Sequence, residues 1–108
     1  RFLEKGVNLC LGTDSLASNW SLDLFAEMRH LRAIHPALSA ESVLGMATLA
    51  PAKAIGHEGR LGEIASVSQA DLIALPFEKQ GDDLITSVIE MVAPPHWIMV
   101  NGQVVHEA

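Results

Sequence analysis

The chain has 108 residues, 49% of them hydrophobic, with 13 acidic against 7 basic side chains and a net charge of −6. That length fits one small domain or part of a larger one, and so apolar a short chain is expected to leave surface for a partner or a further segment to cover. There is no basic run to neutralise phosphates, so nucleic-acid binding is excluded as a working idea. No apolar run reaches the ~18–20 residues of a membrane span, and Arg1 to Lys5 is no signal peptide. Cys10, the one cysteine, can form neither an internal disulfide nor a cysteine metal cluster. Its apolar neighbours make it read as a buried core thiol rather than a nucleophile, and cysteine usage fits a cytoplasmic home.

Arg1 to Lys5 reads as the tail of a helix that began upstream, with Gly6 as its C′ glycine. Val7 to Gly12 is an almost wholly apolar run, which predicts a strand buried on both faces, as in a parallel sheet. Thr13 to Ser21 is a polar loop. The spacing predicts a helix from Leu22 to about Ile34, with Ser21 as N-cap and Asp23 in the first turn, ending at His35-Pro36. Ser39 caps a second helix whose apolar stripe runs from Val43 to Ala54 before Gly56 closes it. Pro51 inside that stripe predicts a kink, or a break after a cap near Thr48. Gly59 to Ile64 reads as a turn into a short extended segment, Ala70 to Leu75 as a second apolar strand, and Asp82 to Met91 as a short helix. Asn101-Gly102 between two β-rich runs predicts a hairpin with a type I′ turn.

Asp14 is the leading candidate for chemistry. An aspartate directly after a buried parallel strand lies at the strand's carboxyl end, where barrel and open-sheet enzymes place reactive groups. There it can ligate a divalent metal and take a proton from bound water, or it can simply cap a turn; the spacing alone does not choose. His30, His35, His57, His96 and His106 show no spacing suited to a shared zinc, and Ser15 and Ser18 have no evident histidine partner. Trp20 can stack on a planar ligand if its loop borders a pocket, but covering the core under the loop is the reading preferred for it. Glu27 and Arg29 read as surface or salt-bridge residues.

The string Gly6-Val7-x-Leu9-x-Leu11-Gly12-Thr13-Asp14-Ser15-x-Ala17-Ser18-Asn19, followed by Leu22-Asp23-Leu24-Phe25-x-Glu27-Met28-Arg29, resembles the amidohydrolase superfamily. The nearest branch holds cytosine, guanine, adenosylhomocysteine and aminofutalosine deaminases and triazine hydrolases. Met46-Ala47-Thr48, Ala52-x-Ala54-Ile55-Gly56, Gly59-x-Leu61-Gly62-Glu63-Ile64, Ala70-Asp71-Leu72-Ile73 and Val100 to Val105 resemble the same family in the same order. The resemblance implies an α/β chain: the last strand and helices of an incomplete TIM-like (β/α)8 barrel over residues 1–58, then C-terminal strands of a small β-sandwich over residues 59–108. It makes Asp14 a metal contact and the proton shuttle for water attack on an amidine-like carbon with loss of ammonia, and puts Ser15, Asn19 and Trp20 on the substrate loop. It implies a divalent metal in the complete enzyme, zinc first and iron or manganese next, and a small-molecule substrate.

The family's other ligands are missing from this sequence: the histidine pair of the first strand, the histidines of strands five and six, and the acid–base glutamate. The expectation is therefore an enzyme fragment, inactive alone and binding no metal of its own. The second reading is a standalone structural or interaction module that self-associates through exposed apolar surface. A third has a companion chain supply strands one to seven.

Overall fold

In the computed structural model, residues 1–79 and 82–108 are described. In chain order they form α1 (Leu24–Ile34), α2 (Ala40–Ala47), α3 (Leu49–Ala54), β1 (Leu72–Ala74), α4 (Leu84–Ile89), β2 (Trp97–Val100) and β3 (Gln103–Glu107). The strands make one antiparallel sheet in the order β1-β2-β3, a small α/β arrangement.

Side-chain caps set most of the helix starts. Ser39 accepts from the Ser42 N–H and starts α2, and Asp83 accepts from the Thr86 N–H and starts α4. The α1 cap differs from expectation. Asp23, not Ser21, accepts from the Phe25 N–H, and Ser21 Oγ instead accepts from the Asp23 N–H one step earlier. A carboxylate offers two acceptor oxygens, so Asp23 can hold the cap and still face Arg29 at 3.4 Å. The apolar stripe after Ser39 breaks as its proline requires: α2 stops at Thr48, and Pro51 lies in the first turn of α3, where a missing N–H costs nothing.

Val88 and Glu90 flank the buried end of α4, where Ile89 is fully enclosed. Ile89 joins Met28, Ala40 and Val43 in the core, with Phe25, Leu31, Leu38 and Leu44 packed against it. The core therefore sits among α1, α2 and α4. The sheet lies apart from it, and a cavity of about 630 Å³ opens between them, lined by Phe25, Met28, Leu44, Leu72, Leu75 and Met91 among others. The turn after α3 reaches back to the α2–α3 junction at Gly62, where a Cβ would meet the Thr48 carbonyl oxygen at 2.5 Å.

The hairpin matches expectation. Asn101 and Gly102 both have positive φ, 48° and 75°, as a type I′ turn demands. At the other end, Val7 N–H donates to the Phe2 carbonyl and Gly6 N–H to the Leu3 carbonyl, with Gly6 at φ 72°. That pair of hydrogen bonds is the one by which glycine closes a helix C-terminus, but residues 2–6 form a turn and not the helix tail expected there.

Two expectations fail together. Val7 to Gly12 forms no strand, and Cys10 is exposed rather than buried. A parallel strand exists only through its neighbours' hydrogen bonds, and the described residues supply no strand beside it. What holds the segment is sparse: Leu11 N–H donates to the Met46 carbonyl, and the Asn8 side chain donates to the Ala50 carbonyl. The total accessible surface, 7621 Å², exceeds the ~5,800 Å² that scaling gives for a compact monomer of this mass.

Candidate active-site loop

The loop from Thr13 to Ser21 is closed by its own short side chains. Ser15 accepts from the Ser18 and Asn19 backbone N–H groups through its carbonyl, and its hydroxyl accepts from the Ala17 N–H. Asp14 Oδ1 accepts from the Ser15 N–H at 2.9 Å. Asp14 itself is exposed and has φ 59°, a left-handed conformation that costs a non-glycine residue about 1 kcal/mol or more. Aspartate is among the few side chains that tolerate it.

Asn19 ties the loop down. Its side-chain NH2 donates to the Thr13 carbonyl at 2.8 Å and also to Glu27 Oε1 on α1. Its carbonyl oxygen accepts from the Trp20 N–H at 2.8 Å. All three bonds require one orientation of the amide, because a flipped group would set its oxygen against two acceptors. Asn19 and Glu27 are half-buried. Trp20 is not: it is 99% exposed, so it does not cover the core. With Leu16, Ala17, Ser18 and Asn19 it borders a shallow recess of about 190 Å³.

Glu27 and Arg29 are more than surface charges. Glu27 anchors the loop, and Arg29 reaches from α1 to the far end of α4, donating to the Ile89 and Met91 carbonyls at 3.2 and 2.9 Å. The signal that could have found them is their place in the first two turns after the loop, on a helix whose next buried residue is Met28.

The five histidines are all exposed, and among the described residues no group of three His, Cys, Asp or Glu side chains could hold a metal ion. The larger apolar cavity lies elsewhere, with Asp14 outside its lining. Among the described residues, no helix is long and apolar enough to cross a membrane.

Comparison with known proteins supplies the context the loop lacks. The model of the amidohydrolase family matches residues 1–105. The chain belongs to the amidohydrolase family. It is 46% identical over 86 residues to the 5-methylthioadenosine/S-adenosylhomocysteine deaminase of Syntrophobacter fumaroxidans, covering 73% of this chain and 20% of that protein. It is 43% identical over 86 residues to the 5'-deoxyadenosine deaminase of Methanosarcina mazei, covering 73% and 19%. The 5-methylthioadenosine/S-adenosylhomocysteine deaminase of Caldanaerobacter subterraneus subsp. tengcongensis aligns over 99% of this chain at 32% identity, and 28% of its own length is covered. The chain thus spans between 19% and 28% of the length of these deaminases.

Amidohydrolases generally depend on a divalent metal. A hydrolytic site takes about three protein ligands plus water. Asp14 is exposed and, among the described residues, belongs to no group of three ligands that could hold a metal, so it does not by itself make up such a site.

Proposed function

We propose that this chain carries the catalytic aspartate, Asp14, of a hydrolase that deaminates an adenine-nucleoside-like small molecule. Residues 1–58 would be the closing segment of a TIM-like barrel, with Val7 to Gly12 its last strand, and residues 59–108 would belong to a small β-sandwich. The reading is supported most by the continuous family match over residues 1–105, alongside relatives that are themselves deaminases.

In this reading Asp14 acts as acceptor and then donor of one proton. An ionised carboxylate offers only acceptor oxygens. It takes a proton from the water that adds to the carbon bearing the amino group, and returns it to the departing nitrogen. The C–N bond breaks, ammonia leaves with that proton, and the carbon keeps the water oxygen as a carbonyl while the water's second proton passes to the ring nitrogen beside that carbon. Ser15 and Asn19 would hold the loop, and Trp20 would offer its indole face to the purine. Zinc is the proposed metal, with iron or manganese as alternatives, and its ligands besides Asp14 would come from outside these 108 residues.

Two measurements test the proposal. The 108-residue chain, purified and freed of loosely bound ions, should carry no stoichiometric zinc, iron or manganese and should release no ammonia from adenosine-type substrates. Tight one-to-one metal binding would overturn that part. In a deaminase that contains this sequence, Asp14→Asn should lower kcat by at least about 10³-fold, since the substitution removes the proton acceptor while keeping the shape. Near-normal turnover would remove Asp14 from the reaction.

A second reading rests on the surface. Phe2, Leu16, Trp20, Leu22, Ile64 and Val67 are all more than half exposed, and the excess of accessible area is larger than the ~800 Å² that each partner gives to a standard protein interface. The chain would then be a non-catalytic module that self-associates. Its mass by size-exclusion chromatography with light scattering decides: a dimer or larger assembly supports it, a soluble monomer counts against it.

A further inference from the structure

We infer that Asn19 and Glu27 form a clasp that sets the position of Asp14, with Glu27 a positioning residue for the reaction. The inference rests on the proposal that Asp14 is the catalytic aspartate.

The argument starts from one peptide plane. Asp14 sits at φ 59°, a conformation its own side chain makes unfavourable. The bond whose rotation defines that angle follows the Thr13–Asp14 peptide. The carbonyl oxygen of that peptide is the one Asn19 grips, at 2.8 Å. Fixing the plane of this peptide restrains the angle from which the Asp14 carboxylate departs. The bond from the Ser15 N–H to Asp14 Oδ1, 2.9 Å long, then restrains the side chain itself.

Asn19 could not do this from a loose loop. The same NH2 group donates its second hydrogen to Glu27 Oε1, on the first turn of α1. An acceptor with a full charge strengthens the bond, and partial burial keeps water from replacing it. Helix α1 is in turn locked to the core through Met28, the next residue, which is 2% exposed. The chain of restraint runs from the core, through Glu27 and Asn19, to the peptide before Asp14. Glu27 acts through Asn19 and is not among the residues that line the recess beside Trp20.

The experiment has a structural arm and a kinetic arm. In the 108-residue chain, the Cα and Cβ chemical shifts of Asp14 report its left-handed backbone. Glu27→Ala should move them towards averaged values, while the hairpin and α2 resonances stay in place. Glu27→Gln, which keeps an acceptor oxygen for Asn19, should restore them. If Glu27→Ala loses the whole fold, Asn19→Asp serves instead: it keeps the side-chain volume and removes both donated bonds. In a deaminase containing this sequence, Glu27→Ala should lower kcat about ten- to a hundredfold with KM changed far less, and Glu27→Gln should recover most of the loss. Unchanged Asp14 shifts in a folded Glu27→Ala or Asn19→Asp chain would overturn the clasp, as would Glu27→Gln falling as low as Glu27→Ala. Failure of the catalytic reading looks different: Asp14→Asn would retain turnover whatever Glu27 does.

Discussion

Residues 7–12 and residues 84–89 are alike in composition and opposite in outcome. Both are short and mostly apolar. The second becomes α4, capped by Asp83, with Ile89 and Ser87 fully buried against the other helices. The first forms no regular element, with Val7 44% exposed and Cys10 exposed. The difference lies in where each finds its hydrogen bonds. A helix satisfies its backbone within itself, so one cap and one apolar face are enough to place it. A strand needs partners distant in the chain, and among the described residues the backbone of residues 7–12 donates to one, the Met46 carbonyl, while the Asn8 side chain holds the Ala50 carbonyl. Apolar character says that a segment wants burial; it does not say what will bury it.

The sharpest way to test that contrast is to remove volume from the buried side. Ile89→Ala should destabilise the chain by about 3 kcal/mol, because it leaves a cavity among Met28, Ala40 and Val43 that rigid helices cannot close. Urea denaturation followed by circular dichroism measures it. A loss under about 1 kcal/mol would mean that α4 is not held by this core.

How much could be read in advance follows the same division. Ser39, Pro51 and Asn101-Gly102 act over a few residues, and each makes the cap, break or turn expected of it. Asp14 was found from its place after an apolar run, yet the strand that argument used is not formed here. Its candidacy rests on the ordered family match instead. Glu27 and Trp20 depart from expectation because both depend on tertiary direction. Glu27 turns towards the loop, and Trp20 turns away from the core. Periodicity gives Glu27 a helix face but not the loop that meets it, and it gives Trp20, in the loop, no direction at all.

Acid should act on the well-tied side through local contacts. The Gln69 side-chain amide, and then the Asn101 backbone N–H, hold the Asp71 carboxyl below its ordinary range. The Thr86 backbone N–H and then its hydroxyl do the same for Asp83 at the start of α4. A carboxyl with a depressed folded pKa contributes stability that is present above the unfolded value and is lost as pH falls through the folded one. The hairpin turn and the α4 cap should therefore hold through neutral and mildly acidic pH and loosen only below about pH 4. The Asn101 and Thr86 amide resonances should move with midpoints below those of an unstructured aspartate. Both carboxyls are exposed, so the effect is small; a midpoint at or above the ordinary value would show that the clasps are not made.

The smallest effect belongs to the largest side chain. Removing a core tryptophan costs about 3–5 kcal/mol, but Trp20→Ala should change stability by no more than about 0.5 kcal/mol, because Trp20 is 99% exposed and its indole covers nothing. Fluorescence gives an independent check. Trp97 is half-buried in the sheet, so the substitution should remove the red-shifted part of the emission and leave the shorter-wavelength part. A stability loss of 2 kcal/mol or more would mean that the indole folds back over the loop. A neutral result makes the loop a region whose aromatic side chain folding does not require. In a deaminase containing this sequence, Trp20→Ala should then raise KM for a purine substrate by about tenfold through lost stacking, with kcat changed less, and an unchanged KM would remove Trp20 from substrate contact.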